Sequence, residues 1–245
     1  MRPVRRGSSP QNQDFIPYDS AQKFLISRLG NYCSYCERRV VTQLAVEHIQ
    51  PKGLPAYVHL IGRWENYLLA CVNCNSTKKD KDVVLADILL PDRDNTFAAF
   101  SYTQDGRVEP SAISINNGLV GMAQKTLALT GLDKKICKAL DENGKQVAID
   151  RVSQRLEVWA VAEDTKTDVN TSQNNDSVRR SVVRIAQGYG FFSIWMKVFE
   201  DDADMRNRLI DAFAGTRESG CFDPATAAII TPAPNPDTLA HGGKL

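Results

Sequence analysis

The sequence predicts an α+β chain in which a small strand, strand, helix unit is wrapped by a mostly helical C-terminal half. Three observations carry that expectation. Two Cys-x-x-Cys pairs, Cys33 with Cys36 and Cys71 with Cys74, bracket a pair of short apolar runs. These runs, Leu44 to Lys52 and Glu65 to Cys71, have strand length and lead into a lysine-bearing segment of helical character. From Asn116 onward the apolar residues recur at helical spacing instead.

At 245 residues and 42% hydrophobic content the chain can bury a real core, as one compound domain or two small ones. The expected organisation is a basic arm at 1–19, the strand and helix unit at 20–110, a helical region at 111–215 and an extended or disordered tail at 216–245. A net charge of +1 excludes a protein coated in basic charge, so any nucleic-acid surface must be local. No signal peptide and no apolar run of bilayer-spanning length is visible, so no membrane partner is expected. Six cysteines leave Cys137 and Cys221 outside the pairs, and free thiols beside a thiolate metal site favour a reducing cytoplasm.

The elements follow in order. Arg2, Arg5 and Arg6 have no acid nearby, which fits either a flexible terminus or a contact with phosphate or a partner. Residues 20–30 read as a helix with Ser20 as N-cap, Phe24, Leu25 and Leu29 on one face and Gly30 as the stop. The next run is apolar and β-branched, reaches Glu47-His48 and is stopped by Pro51, so both side chains sit at a strand end beside a cleft. Asn75, Lys78 and Lys79 fall on the helix that follows the second pair. Val83 to Leu90 is an apolar run ending at Pro91, and Phe97 to Tyr102 with Asp105-Gly106 reads as a hairpin. Its aromatics, Phe97, Phe100 and Tyr102, are assigned to core packing ahead of base stacking.

Four helical stripes then appear. They are Leu119, Met122, Ala123 and Leu127 up to Gly131; Ala148, Val152, Leu156 and Trp159; Val178, Val182 and Ile185, leading through Phe191-Phe192 to Trp195; and Met205, Leu209, Ile210 and Phe213. Asp164 to Asp176 lacks an apolar period and is expected as an exposed loop.

The chemistry lies between residues 33 and 81. Cys33, Cys36, Cys71 and Cys74 suit a closed tetrahedral zinc site, because each two-residue spacer lets a turn aim both sulfurs at one ion. Zinc would clamp the ends of the inserted unit, and a zinc knuckle with no chemistry inside it is the competing reading. His48, neutral near pH 7, is a candidate general base. Glu47 and Asn75 offer hard oxygen ligands for Mg²⁺ or Mn²⁺. Lys78, Lys79 and Lys81 form either a solvated helix face or a phosphate contact, while His59 and His241 are taken as incidental.

Together these residues resemble the HNH nucleases, whose ββα-metal motif carries Asp or Glu followed by His, then Asn, then His or Asn. Glu47-His48, Asn66 and Asn75 fill those positions, with Glu47 where Asp is commoner and Asn75 in place of His. The resemblance implies catalytic roles for Glu47, His48, Asn66 and Asn75, with Asn66 orienting the loop and the histidine. A looser resemblance, in residues 2–7, 28–37 and 46–52, is to PtuB-type HNH proteins of the Septu and retron antiviral systems. It implies an ATPase partner of the SMC or ABC class and, in retrons, a reverse transcriptase with its nucleic acid. Phe191, Phe192 and Trp195 are then either a docking surface or bundle core. The expected function is a metal-dependent endonuclease with DNA favoured and Arg5, Arg6, Lys78, Lys79 and Lys81 as nucleic-acid contacts. An RNA-cleaving effector and a non-catalytic zinc module that binds nucleic acid are the alternatives.

Overall fold

The computed structural model describes residues 1–134, 142–144, 150–172 and 175–245. Cys137 and Ala148 lie outside the described residues. A 3₁₀ turn at Tyr18–Ala21 leads into α1 (Gln22–Leu29), which Gly30 ends at φ 75°. Ser20 sits inside the 3₁₀ turn and donates its hydroxyl to Pro17 O at 2.6 Å, so it does not cap α1 as expected. Strands β1 (Ala45–His48) and β2 (Tyr67–Ala70) then pair antiparallel, Ala45 opposite Ala70 and His48 opposite Tyr67. Helix α2 (Val72–Lys78) follows directly, which gives the expected strand, strand, helix order. β2 is buried at every position because α1 packs against the pair.

A short α3 (Thr96–Ala99) precedes the hairpin of β3 (Phe100–Tyr102) and β4 (Val108–Pro110). Phe100 and Tyr102 are buried, as the core reading expects. After α4 (Ala112–Asn116) comes α5 (Val120–Thr130), which packs on both α2 and β4 and ends at left-handed Gly131. The C-terminal half consists of α6 (Arg151–Thr171), α7 (Asp176–Tyr189), α8 (Phe192–Val198) and α9 (Ala203–Ala212), with α6 on α7 and α8, and α9 on α7 and α8.

Two expectations are corrected and two open alternatives are decided. The stretch from Asp164 to Thr171 is helical, because Val158, Ala162, Thr165 and Val169 form a buried stripe that carries α6 through its polar sequence. The start of the arm is packed into the core, with Met1, Arg2, Val4 and Arg6 all buried, while residues 10–14 are exposed. The tail is extended but ordered by long-range bonds. Asn95 Nδ2 donates to Cys221 O and Ile230 O, Arg93 to Ala240 O, and Lys244 N to Asp94 Oδ1. Phe191, Phe192 and Trp195 are buried, with Phe192 against Phe97, Phe213 and Phe222, so they are bundle core and not a docking surface. Among the described residues no helix is long and apolar enough to cross a membrane.

Candidate active site and metal centre

The cysteines come together through two turns of different make. In the first, Glu37 N bonds back to Cys33 O at 2.9 Å and Glu37 takes a left-handed φ of 66°. That strained residue is held in place: Ser193 N and Oγ donate to its carboxylate at 2.7 and 2.6 Å, and Tyr102 Oη donates at 3.0 Å. Ser34 ties the turn to β2, its N donating to Leu69 O at 2.8 Å and its Oγ accepting from Leu69 N at 3.2 Å. In the second, Cys71 is the N-cap residue of α2 and Cys74 lies in the first turn.

All four sulfurs are buried and lie within 4.8 Å of one another. Cys36 Sγ and Cys71 Sγ are 3.7 Å apart. A tetrahedron with Zn–S bonds of about 2.3 Å has edges of about 3.8 Å, so the cluster has the size zinc requires. Its ionisation points the same way. Thiol bonds from Cys33, Cys36 and Cys74 hold Cys71 far below the usual range, while the thiols of Cys36 and Cys74 are pushed up, first by their bonds with Cys33. Beside the Cys71 thiolate, Cys36 and Cys74 resist ionisation unaided, and a bound cation removes that conflict.

Glu47 and His48 end β1, and the loop after them is closed by Asn66. Its Oδ1 accepts from Gln50 N at 2.8 Å and its Nδ2 donates to Gln50 O at 2.9 Å, clamping the strand exit across the start of β2. His48 Nε2 lies 3.0 Å from Ile61 O. A carbonyl only accepts, so Nε2 carries the proton and Nδ1 keeps its lone pair. Tyr18 and Tyr67 meet the ring edge-on at centroid distances of 4.7 and 5.3 Å. Burial lowers the His48 pKa, with Lys52 and Lys78 pulling the same way against the Ile61 bond, so the imidazole stays neutral.

Lys78 departs from the expectation. It is 2% exposed, donates to His48 O at 2.8 Å and stands 2.8 Å from Glu47 Oε1. That last contact lies off a hydrogen-bond line, so Oε1 is charge-paired but not hydrogen-bonded. Burial raises the Glu47 pKa, and Lys78 opposes the rise. Lys78 is therefore a buried counter-charge and not a phosphate contact. Arg6 is corrected likewise: at 1% exposure it pairs with Asp92 at 2.8 Å and donates to Glu65 O and Tyr67 O beside β2. Arg5 pairs with Asp237 at 2.8 Å, whereas Lys79 and Lys81 are exposed. Asn75 is half-buried and precedes Lys78, the residue that meets Glu47, by three positions on α2. A carboxylate and an amide oxygen there suit a hard divalent ion, which would share Glu47 with the Lys78 ammonium.

Residues 33–81 match the family model for HNH endonuclease. The match begins at the first zinc-type cysteine and closes just beyond α2, so the four-cysteine cluster and the Glu47-His48 strand end belong to one HNH domain. No curated protein matches the chain. Sequence reasoning missed two residues that shape this domain. Tyr18 reaches His48 from outside the matched segment, which no local motif signals. Tyr35, between the first two cysteines, is buried, and burial together with the Glu47 charge pushes its phenol well up. The burial of Lys78 had a signal: it falls four residues after Cys74, on the same face of α2.

Proposed function

We propose that the chain is a metal-dependent endonuclease that hydrolyses nucleic-acid phosphodiesters, DNA foremost, with His48 as the general base. The observation that carries this reading is the bond between His48 Nε2 and Ile61 O, which leaves a neutral imidazole with Nδ1 free to accept a proton. In that role Nδ1 takes the proton of the water that attacks phosphorus, a contribution of about 10²–10⁴-fold. Asn66 fixes the loop that carries Ile61 and so fixes the tautomer. Glu47 and Asn75 would hold Mg²⁺ or Mn²⁺, which when bound relieves charge on the scissile phosphate and the departing oxygen. Lys79 and Lys81, exposed beyond α2, are the candidate backbone contacts.

We further propose that it acts as an effector of a bacterial antiviral system beside an SMC or ABC-class ATPase, and in a retron setting beside a reverse transcriptase. The likeness of residues 2–7, 28–37 and 46–52 to PtuB-type proteins supports this. Incubation of purified protein with plasmid, single-stranded DNA and structured RNA, with and without Mg²⁺, tests the chemistry. Metal-dependent cleavage led by the DNA substrates is expected, and RNA cut in preference would overturn the substrate assignment. Co-expression with an SMC or ABC-class ATPase, followed by size exclusion, tests the partner; a monomer that ignores the ATPase contradicts it and leaves the chemistry standing.

A further inference from the structure

Among the described residues a charged group of the helical half touches the cysteine cluster. Arg151, the first residue of α6, is 7% exposed, and its Nη1 lies 2.9 Å from Cys74 Sγ. The same nitrogen is 2.9 Å from Thr130 O, and Nη2 is 2.6 Å from Gly131 O. Thr130 ends α5 and Gly131 is its cap, so the guanidinium rests on the negative end of a helix while it faces the sulfur. Gly131 is needed for this approach, since a Cβ there would stand 2.9 Å from Arg151 Nη2. Arg38, bonded to Asn73 Oδ1 at 3.4 Å, also feels the field of all four sulfurs. Among the described residues Arg151 is the side-chain N–H donor to these sulfurs.

We propose that Arg151 is an outer-shell partner of the zinc centre. Four thiolates on one Zn²⁺ leave two negative charges in a buried site, and such charge calls for nearby donors. The planar guanidinium presents its N–H groups to the sulfur and two carbonyls in one fixed fork, whereas a lysine ammonium would meet them from a single point on a flexible stem. By donating to Cys74 Sγ it offsets charge on that ligand and holds the ion more tightly. This rests on the four-cysteine site holding zinc.

The test compares wild type, Arg151→Met and Arg151→Lys, with Arg155→Met as the control. Arg155 is a buried arginine of the same helix whose Nε donates to Gly106 O at 2.6 Å; it acts on Cys36 only through space and bonds no sulfur, so it separates the Arg151 bond from the mere presence of a buried charge. Each protein is assayed for zinc content and for zinc affinity in competition with a chelator, and its cobalt-substituted form for the sulfur-to-cobalt charge-transfer band. Arg151→Met is expected to bind zinc on the order of 10-fold more weakly and to shift that band. Arg151→Lys should fall between, and Arg155→Met should leave the band in place even where it destabilises the fold. If Arg151→Met does not fold, Arg151→Lys carries the same two readouts. A folded variant with wild-type affinity and an unshifted band overturns the role. Wild type that holds neither zinc nor cobalt overturns the zinc centre itself, and the role with it.

Discussion

Replacing Lys78 with Met removes one member of a buried pair and keeps the volume of the stem. Glu47 is 3% exposed, so water cannot take over from the lost ammonium. Breaking such a pair by removing one partner costs about 3–5 kcal/mol, and the carbonyl of His48 loses its donor as well. For a chain of this size that corresponds to a fall in Tm of roughly 6–20 °C. The pH dependence has a definite sign. Without Lys78 the buried carboxyl rises further above its unfolded value of about 4.3, so the folded state keeps a proton that the unfolded chain releases. Stability of the variant then falls as pH rises, and the deficit at pH 5 is smaller than at pH 8. Thermal and urea melts of wild type, Lys78→Met and the double variant Glu47→Gln/Lys78→Met at both pH values read this directly. The double variant should recover much of the loss, since no charge is left unpaired. A Lys78→Met variant that melts with wild type at both pH values would refute a buried pair at this position.

Three further outcomes are expected. Cys74→Ser should lose zinc and unfold the HNH domain, because structural zinc supplies on the order of 10–16 kcal/mol of apparent folding energy in small zinc units; elemental analysis with circular dichroism checks it. The acid limb of kcat/KM should lie below the ordinary imidazole value of about 6.5, since the base works unprotonated and burial lowers its pKa; a limb above that value contradicts the His48 environment. Lys79→Ala/Lys81→Ala should leave the melting curve unchanged, weaken nucleic-acid binding and flatten its salt dependence by up to about two phosphate contacts, as binding titrations over a salt series would show.

How much the sequence disclosed depended on whether the deciding partner was near in the chain. The strand ending at Glu47-His48, the cysteine cluster and the α5 stripe up to Gly131 follow from local spacing, and each stands where the spacing puts it. Arg6 looked free because Asp92 and the carbonyls of Glu65 and Tyr67 reach it only through the tertiary fold. The Pro, Ala, Thr and Gly content of the tail leaves extended and disordered chain equally open, and the choice is made by Arg93, Asp94 and Asn95, which fasten it from a distant loop. Thr165 was counted as polar, which hid the stripe it completes with Ala162 and Val169 in α6. Composition reports what a segment can bury alone, and these segments are buried by others.

The most direct test of the central claim is cleavage of plasmid DNA in Mg²⁺ by wild type and by His48→Ala, with zinc content and melting temperature measured on the same samples. His48 is neither a cysteine ligand nor a member of the Lys78 pair through its ring, so the variant should stay folded and zinc-loaded. Its rate should drop by about 10²–10⁴-fold. A folded, zinc-loaded His48→Ala that cleaves at the wild-type rate would contradict His48 as the base.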